Sequence, residues 1–189
     1  EPFAGTVFGL TPGESTSLAG TQNQGLLFGM ILIAIMGRWG GPGALRTWTV
    51  IGCVTSAAAL MSLVVGGALA PNWPLELSVL ALGVANGAFA VGAIGSMMAL
   101  VSHGRERREG VRMGLWGAAQ AIAMGLGGFL GTVAIDLTRV IFASPVPAYT
   151  SVFAVEALLF LIAARLAAQV TRPGHREGPR AGTTRPASG

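Results

Sequence analysis

RERREGVRMGLWGAAQAIAMGLGGFLGTVAID, residues 105–136, is the stretch that decides the fold. It opens with a dense arginine cluster and then runs for more than twenty residues without a charge. Twenty apolar residues rising about 1.5 Å each cross the roughly 30 Å hydrocarbon core of a bilayer. Within the run, Gly110, Gly114, Gly117, Ala121, Gly125 and Gly128 recur every three or four residues, a spacing that places them on one helical face. Small residues on such a face let a second backbone approach, which is how helices associate in a lipid as apolar as leucine. The stretch therefore predicts a transmembrane helix built for tight packing, with its basic end in the cytoplasm.

The composition of the whole chain agrees. Of 189 residues, 52% are hydrophobic and only 11% charged, against about 25% charged in a soluble domain. Glycine supplies 29 residues, in keeping with its frequency in membrane helices. The net charge of +4 comes from arginine alone, since the chain has no lysine. Those arginines lie between apolar runs and in the tail, so the basic balance does not predict a nucleic-acid partner. A single cysteine, Cys53, excludes an internal disulfide and sits in an apolar run, as an inert buried thiol does. The chain begins with Glu1 and carries no signal-peptide pattern, as a fragment would.

Working outward from the central stretch, four more apolar spans appear. The expected spans are about 16–36, 45–69, 74–101, 111–137 and 151–168, within a bundle covering 14–169. Residues 1–13 read as an external loop rich in proline and glycine. Pro12 starts the first helix, with Glu14 in its first turn, where a carboxylate suits the positive end of the dipole. That span holds the pair Gly25 and Gly29, and the third span holds Gly83, Gly87, Gly92 and Gly95. GRWGGPGALR (37–46) is a tight basic loop with Trp39 and Trp48 at interface depth. APNWP (70–74) is a short turn, and 138–149 is a loop with one arginine. Residues 170–189, rich in Arg, Pro and Gly, predict a disordered tail. With five spans, eleven of the twelve arginines fall on one side and only Arg139 on the other. The positive-inside rule then puts the N-terminus outside and the C-terminus in the cytoplasm.

No Walker loop, GxSxG or metal-type His/Cys cluster is present, and the two histidines, His103 and His175, fall in cytoplasmic segments. The expectation is a protein that is not an enzyme and holds no catalytic metal. The informative residues are polar groups inside apolar spans, which are costly in lipid and face a bundle interior or a cavity. Asn86, Gln120 and Glu156 lie within spans; Gln22, Asn23, Glu76 and Asp136 lie nearer the ends. Asn86 and Gln120 suit interhelical hydrogen bonds of about 0.6 kcal/mol. The second reading of them is a ligand cavity, where their side-chain oxygens suit a hard cation such as the magnesium of a chlorophyll. Glu156 reads as an interface acid, a proton-linked carboxylate or the partner of an arginine. Asp136 and Arg139, three residues apart, read as a local ion pair.

REGVRMGLWGAAQAIAMGLGGFLGT (108–132) resembles the PucC/LhaA family of bacteriochlorophyll-associated major-facilitator proteins from phototrophic bacteria. EPFAGTVFGLTPGEST, GVANGAFAVGAIGSMMAL (83–100) and FAVEALLFLIAARLA (153–167) resemble the same family in the same order, together covering about residues 1–170. The resemblance implies an all-α polytopic membrane protein whose five helices correspond to the C-terminal half of a major-facilitator fold. About seven further helices of the same protein would then lie upstream. It also implies a role in assembling light-harvesting antenna complexes in the intracytoplasmic photosynthetic (inner) membrane. In that role the protein binds or delivers bacteriochlorophyll and assists insertion of antenna polypeptides. The family lends no catalytic residue, so the candidate contacts, Asn86, Gln120, Gly117 and Gly125 for pigment and Glu156 for a cavity or proton, rest on the polarity argument. A glycine face accepts either a neighbouring helix or a flat pigment ring. The second reading is a secondary transporter of the same fold. The loop at 37–46 occupies the place of the facilitator's basic motif but lacks its acidic residue, since Gly37 precedes Arg38. A third reading, a subunit of a pigment-synthesis enzyme, finds no acid/base or metal constellation to support it.

Overall fold

The computed structural model describes residues 2–37, 44–102, 109–141 and 144–170. The expected tail, most of the two basic loops and both histidines lie outside the described residues. The elements are α1 (Pro2–Phe8), α2 (Pro12–Met36), α3 (Ala44–Ala68), α4 (Leu75–Ser102), α5 (Glu109–Ile141) and α6 (Pro145–Val170). The described residues form no strand, and α2 to α6 are each long and apolar enough to cross a membrane. All five are apolar around most of their circumference, as helices facing lipid on one side and protein on the other must be.

The start of α2 follows from local chemistry. Thr11 is extended (φ −66°, ψ 160°) and its hydroxyl accepts from the Glu14 N–H at 3.4 Å, while the Thr11 N–H donates to the Glu14 carboxylate at 2.8 Å. This capping box, with Pro12 at the first helical position, satisfies donors that have no partner within the helix.

Residues 1–13, expected to be an external loop, contain a helix instead. Pro2 opens α1, and Gly9, at φ +70°, ends it by turning the chain so that the Leu10 N–H donates to the Ala4 carbonyl at 3.3 Å. Seven residues are too few to hold a helix by local bonds alone. Tertiary contact holds it: Phe3 and Ala4 are buried, and the Phe3 ring meets Phe8, Tyr149 and Phe153 edge to face at centroid distances of 5.6, 5.7 and 4.9 Å. The loop expected at 138–149 is also shorter than the sequence suggests, since α5 runs through Ile141 and α6 begins at Pro145.

α4 is the centre of the packing. It lies against α2 on one side and α3 on another, and α3 in turn packs against α6. α5 touches α6 and α4 only lightly, and α2 and α6 do not pack against one another to any extent. Close approach of α2 and α4 comes from two interlocked glycine pairs. A Cβ placed on Gly25 would lie 2.5 Å from the Leu80 carbonyl, one on Gly29 would collide with the Val84 carbonyl, and ones on Gly83 and Gly87 with the Gln22 and Leu26 carbonyls. Each GxxxG pair thus receives the backbone of the other helix. On α3, Gly52 does the same for Phe89, whose backbone N would lie 2.5 Å from an added Cβ.

The tight contact that the glycine spacing of the central stretch predicts is not made among the described residues. On α5, Gly110, Gly114, Gly117, Gly125 and Gly128 have nothing within 4 Å of an added Cβ. No residue of the α5 span is buried. Spacing marks a smooth helix face on α5 as on α2 and α4, but among the described residues the glycines of α2 and α4 meet another backbone and those of α5 meet none.

Candidate functional site

Four polar side chains of the spans fall at one depth, Ser56 buried, Gln22 and Asn86 half-buried and Glu156 exposed. Counting at about 1.5 Å per residue from the end of the molecule where α1 sits, Gln22, Ser56, Asn86 and Glu156 all fall roughly 15–18 Å along their helices. That is near the middle of a hydrocarbon core about 30 Å thick. Glu156 therefore lies deeper than the interface position its sequence neighbourhood suggests, because α6 starts six residues before the expected Ser151.

Two different arrangements occur at this level. Between α3 and α4, the Ser56 hydroxyl donates to the Asn86 side-chain oxygen at 2.9 Å. Ser56 is fully buried and Asn86 half-buried. This is the interhelical hydrogen bond that the plainer reading of Asn86 expects. Ser56 is the member the sequence reading missed; α3 also carries Thr47, Thr49, Thr55 and Ser62, so the sequence does not single it out.

The second arrangement is a cavity of about 270 Å³. It is wedged between α2 and α6, floored by Leu60 and Leu63 of α3 and by Val79 and Leu82 of α4, and roofed by Phe3 and Ala4 of α1. Its polar lining consists of Ser15 and Gln22 from α2 and Glu156 from α6. Among the described residues, neither the Gln22 amide nor the Glu156 carboxyl has a hydrogen-bond or ion-pair partner. Gln22, placed near a span end by sequence, is thus a cavity residue. A second recess of about 550 Å³ opens at the α1 end and shares Leu18 and Leu75 with the first; Glu14, Glu76 and Trp73 line it. Trp73 is locked over Gly66, with its indole N–H donating to the Ser78 hydroxyl at 2.8 Å.

The candidate pigment contacts are not brought together. Gln120 is exposed on α5, about 27 Å from the α1-side end of its span at Thr138, well away from the level of Asn86 and Glu156. Gly117 lies one turn from it and Gly125 further along, both on the open face. A bacteriochlorophyll, as the resemblance implies, fits some of these residues and not others. The Asn86 oxygen is engaged by Ser56. The 270 Å³ cavity is below the roughly 300–1,000 Å³ of ordinary ligand sites and too small for a tetrapyrrole. The α5 face has both an exposed amide, Gln120, and bare glycine backbone on which a flat ring can rest. At the opposite end of the bundle from α1, the Arg46 guanidinium donates to the Ala168 carbonyl and so caps the last turn of α6. Arg165 is exposed there; the Arg139 side chain, expected to pair with Asp136, lies outside the described residues. No group of three His, Cys, Asp or Glu that could hold a metal ion occurs among the described residues.

Five long apolar helices, glycine-mediated contacts and a polar level at mid-depth define a multi-pass helical membrane protein. More narrowly, the chain belongs to the PUCC protein family, whose model matches residues 1–175. It is 51% identical to the "Bacteriochlorophyll synthase 44.5 kDa chain" of Rhodobacter capsulatus over 170 residues, which is 90% of this chain and 39% of that protein. It is 30% identical to an "Uncharacterized protein in puhA-bchM intergenic region" of Rhodobacter capsulatus, across 92% of this chain and 37% of the relative. To "Protein PucC" of the same organism it is 29% identical, across 93% and 38%. The chain thus spans about two fifths of the length of the curated relatives it matches. No solved structure matches it. Of these relatives, the first carries bacteriochlorophyll in its name.

Proposed function

We propose that this chain is part of an assembly factor for light-harvesting antenna complexes, one that binds or delivers bacteriochlorophyll and assists insertion of antenna polypeptides without catalysing a reaction itself. The observation that carries the reading is the α5 face. Glycines at the spacing that α2 and α4 close upon one another are left open on α5 along the whole span. Such a face admits the backbone of another transmembrane helix or the plane of a pigment ring at close range. Where a pigment lies there, Gln120 would offer its amide oxygen to the central magnesium and Gly117 and Gly125 would leave room for the ring. Bound pigment supplies the chromophore that antenna polypeptides require; the chain supplies a surface that holds it out of water. The arginine-rich end faces the cytoplasm of a bacterial inner (photosynthetic) membrane, and helices of the same protein outside these residues complete the bundle.

Absorption of the purified full-length protein tests the reading. A near-infrared band at a stoichiometric level is expected, and a colourless preparation from pigmented cells rejects it. Gly117→Leu and Gly125→Leu separate the roles of the face. If it serves antenna assembly, protein level holds and antenna yield falls; if it packs only against the protein's own helices, the protein itself is lost.

One observation favours a second reading, a secondary transporter of a small solute or pigment precursor: the mid-depth cavity with Glu156 and Gln22 is of the kind transporters build at their midplane. The missing acidic residue before Arg38 weighs against it. Saturable, gradient-driven uptake by a colourless protein would establish transport in place of assembly.

A further inference from the structure

We propose that the open groove between α3 and α6 holds one acyl chain of an anionic phospholipid, drawn from the leaflet at the arginine-rich end of the bundle, with the lipid phosphate on Arg165 and Arg46. The proposal is independent of pigment and of the mid-depth cavity. Its first ground is shape. The groove encloses about 370 Å³, and every residue lining it is apolar. Ala57 and Ala157 form its buried floor, while Val54 and Met61 of α3 and Leu158 and Leu161 of α6 stand exposed as its rims. Side chains no longer than a methyl group leave the trough open between those rims. None of the lining side chains can donate a hydrogen bond, which excludes a polar solute and suits hydrocarbon.

The second ground is length. Ala154, Leu158, Leu161 and Arg165 recur at spacings of four, three and four, which puts them on one side of α6. Arg165 therefore stands at the end of the trough, on its own line. From Arg165 to Ala154 is about 16 Å along the helix. Half of a hydrocarbon core roughly 30 Å thick is about the same, and that is the reach of one acyl chain from headgroup to midplane. The third ground is charge. Arg165 is exposed and has no ion-pair partner among the described residues. The Arg46 guanidinium covers the Ala168 carbonyl, which would otherwise repel a phosphate, and that bond uses only part of its fork of donors. The positive end of the α3 dipole, at Ala44, stands at the same level. Guanidinium forks match phosphate oxygens. A neutral tail gains nothing from these groups, whereas an anionic headgroup gains about fivefold in binding from each arginine.

The test uses the full-length protein in phosphatidylcholine nanodiscs containing a small fraction of phosphatidylglycerol whose one acyl chain ends in a photoreactive diazirine. Illumination should place cross-links on Met61 and Ala154, at the inner end of the trough. Phosphatidylcholine carrying the same probe at the same fraction should label them about 30-fold less, the product of two fivefold headgroup contacts. Arg165→Gln leaves the trough intact and should cut labelling by phosphatidylglycerol about fivefold. Ala58→Leu combined with Ala154→Leu fills the trough from two exposed positions, where the fold has room for them, and should abolish labelling of Met61. Equal labelling by the two lipids, or labelling spread evenly along the apolar helices, would overturn the proposal. So would an unlabelled trough in a protein that is dimeric by mass, which would give the groove to a second copy. Loss of labelling on adding bacteriochlorophyll would give it to the tail of the pigment instead.

Discussion

Gly87→Ala and Gly117→Ala place the same methyl group on two glycines that sequence periodicity treats alike. At Gly87 the new Cβ collides with the Leu26 carbonyl and lies 2.9 Å from the Met30 N, both backbone atoms of α2. No side-chain rotation relieves such a clash, so α2 and α4 must separate along their interface. Overpacking costs about 1–3 kcal/mol, and a backbone obstacle puts this site in the upper part of that range. An expected loss of about 2–3 kcal/mol is about 30- to 150-fold in the folding equilibrium. At Gly117 the methyl meets nothing within 4 Å, and alanine is the better helix former by up to about 1 kcal/mol. The expected change there is between zero and slight stabilisation. Reversible unfolding of the full-length protein in mixed micelles, titrated with a denaturing detergent and followed by circular dichroism, measures both. A silent Gly87→Ala, within about 0.5 kcal/mol of the parent, would refute the reasoning, because it would mean that α2 and α4 do not meet through these glycines.

Three further outcomes are expected. A double-mutant cycle with Ser56→Ala and Asn86→Leu should give a coupling of about 0.6 kcal/mol, typical of a hydrogen bond between membrane helices; zero coupling would remove the bond. Phe3→Ala should undock α1, with a cost near the lower end of the roughly 3–5 kcal/mol seen for buried Phe→Ala changes, read as faster amide exchange at Leu10; exchange as slow as in the parent would show that the aromatic cluster does not hold the helix. A reporter active only in the cytoplasm should give signal when fused after residue 106 and none after residue 72, and the opposite pattern would invert the orientation.

How much of this could be read from the chain alone differs from one feature to the next. Hydropathy by itself determined the number and approximate position of the crossing helices, because a run of apolar residues long enough for a bilayer has no other stable use. The start of α2 was equally local: Thr11, Pro12 and Glu14 carry their own capping chemistry. The midpoint role of Asn86 was half visible, since a polar residue in a span needs a partner, but which partner depended on Ser56 arriving from α3.

Other features were decided by tertiary structure alone. α1 has no local signal strong enough to predict it and exists because Phe3 and Ala4 are buried against α6 and its neighbours. Gln22 and Glu156 share a cavity only because α2 and α6 flank the same floor of α3 and α4. Above all, the sequence by itself marked three glycine-lined faces and had no means of ranking them. A 3.6-residue period says which residues share a side of a helix, but in membrane helices the lipid-facing and protein-facing sides are equally apolar, so no gradient says what that side meets. Packing settled it, joining Gly25 and Gly29 to Gly83 and Gly87 and leaving the face of α5 open.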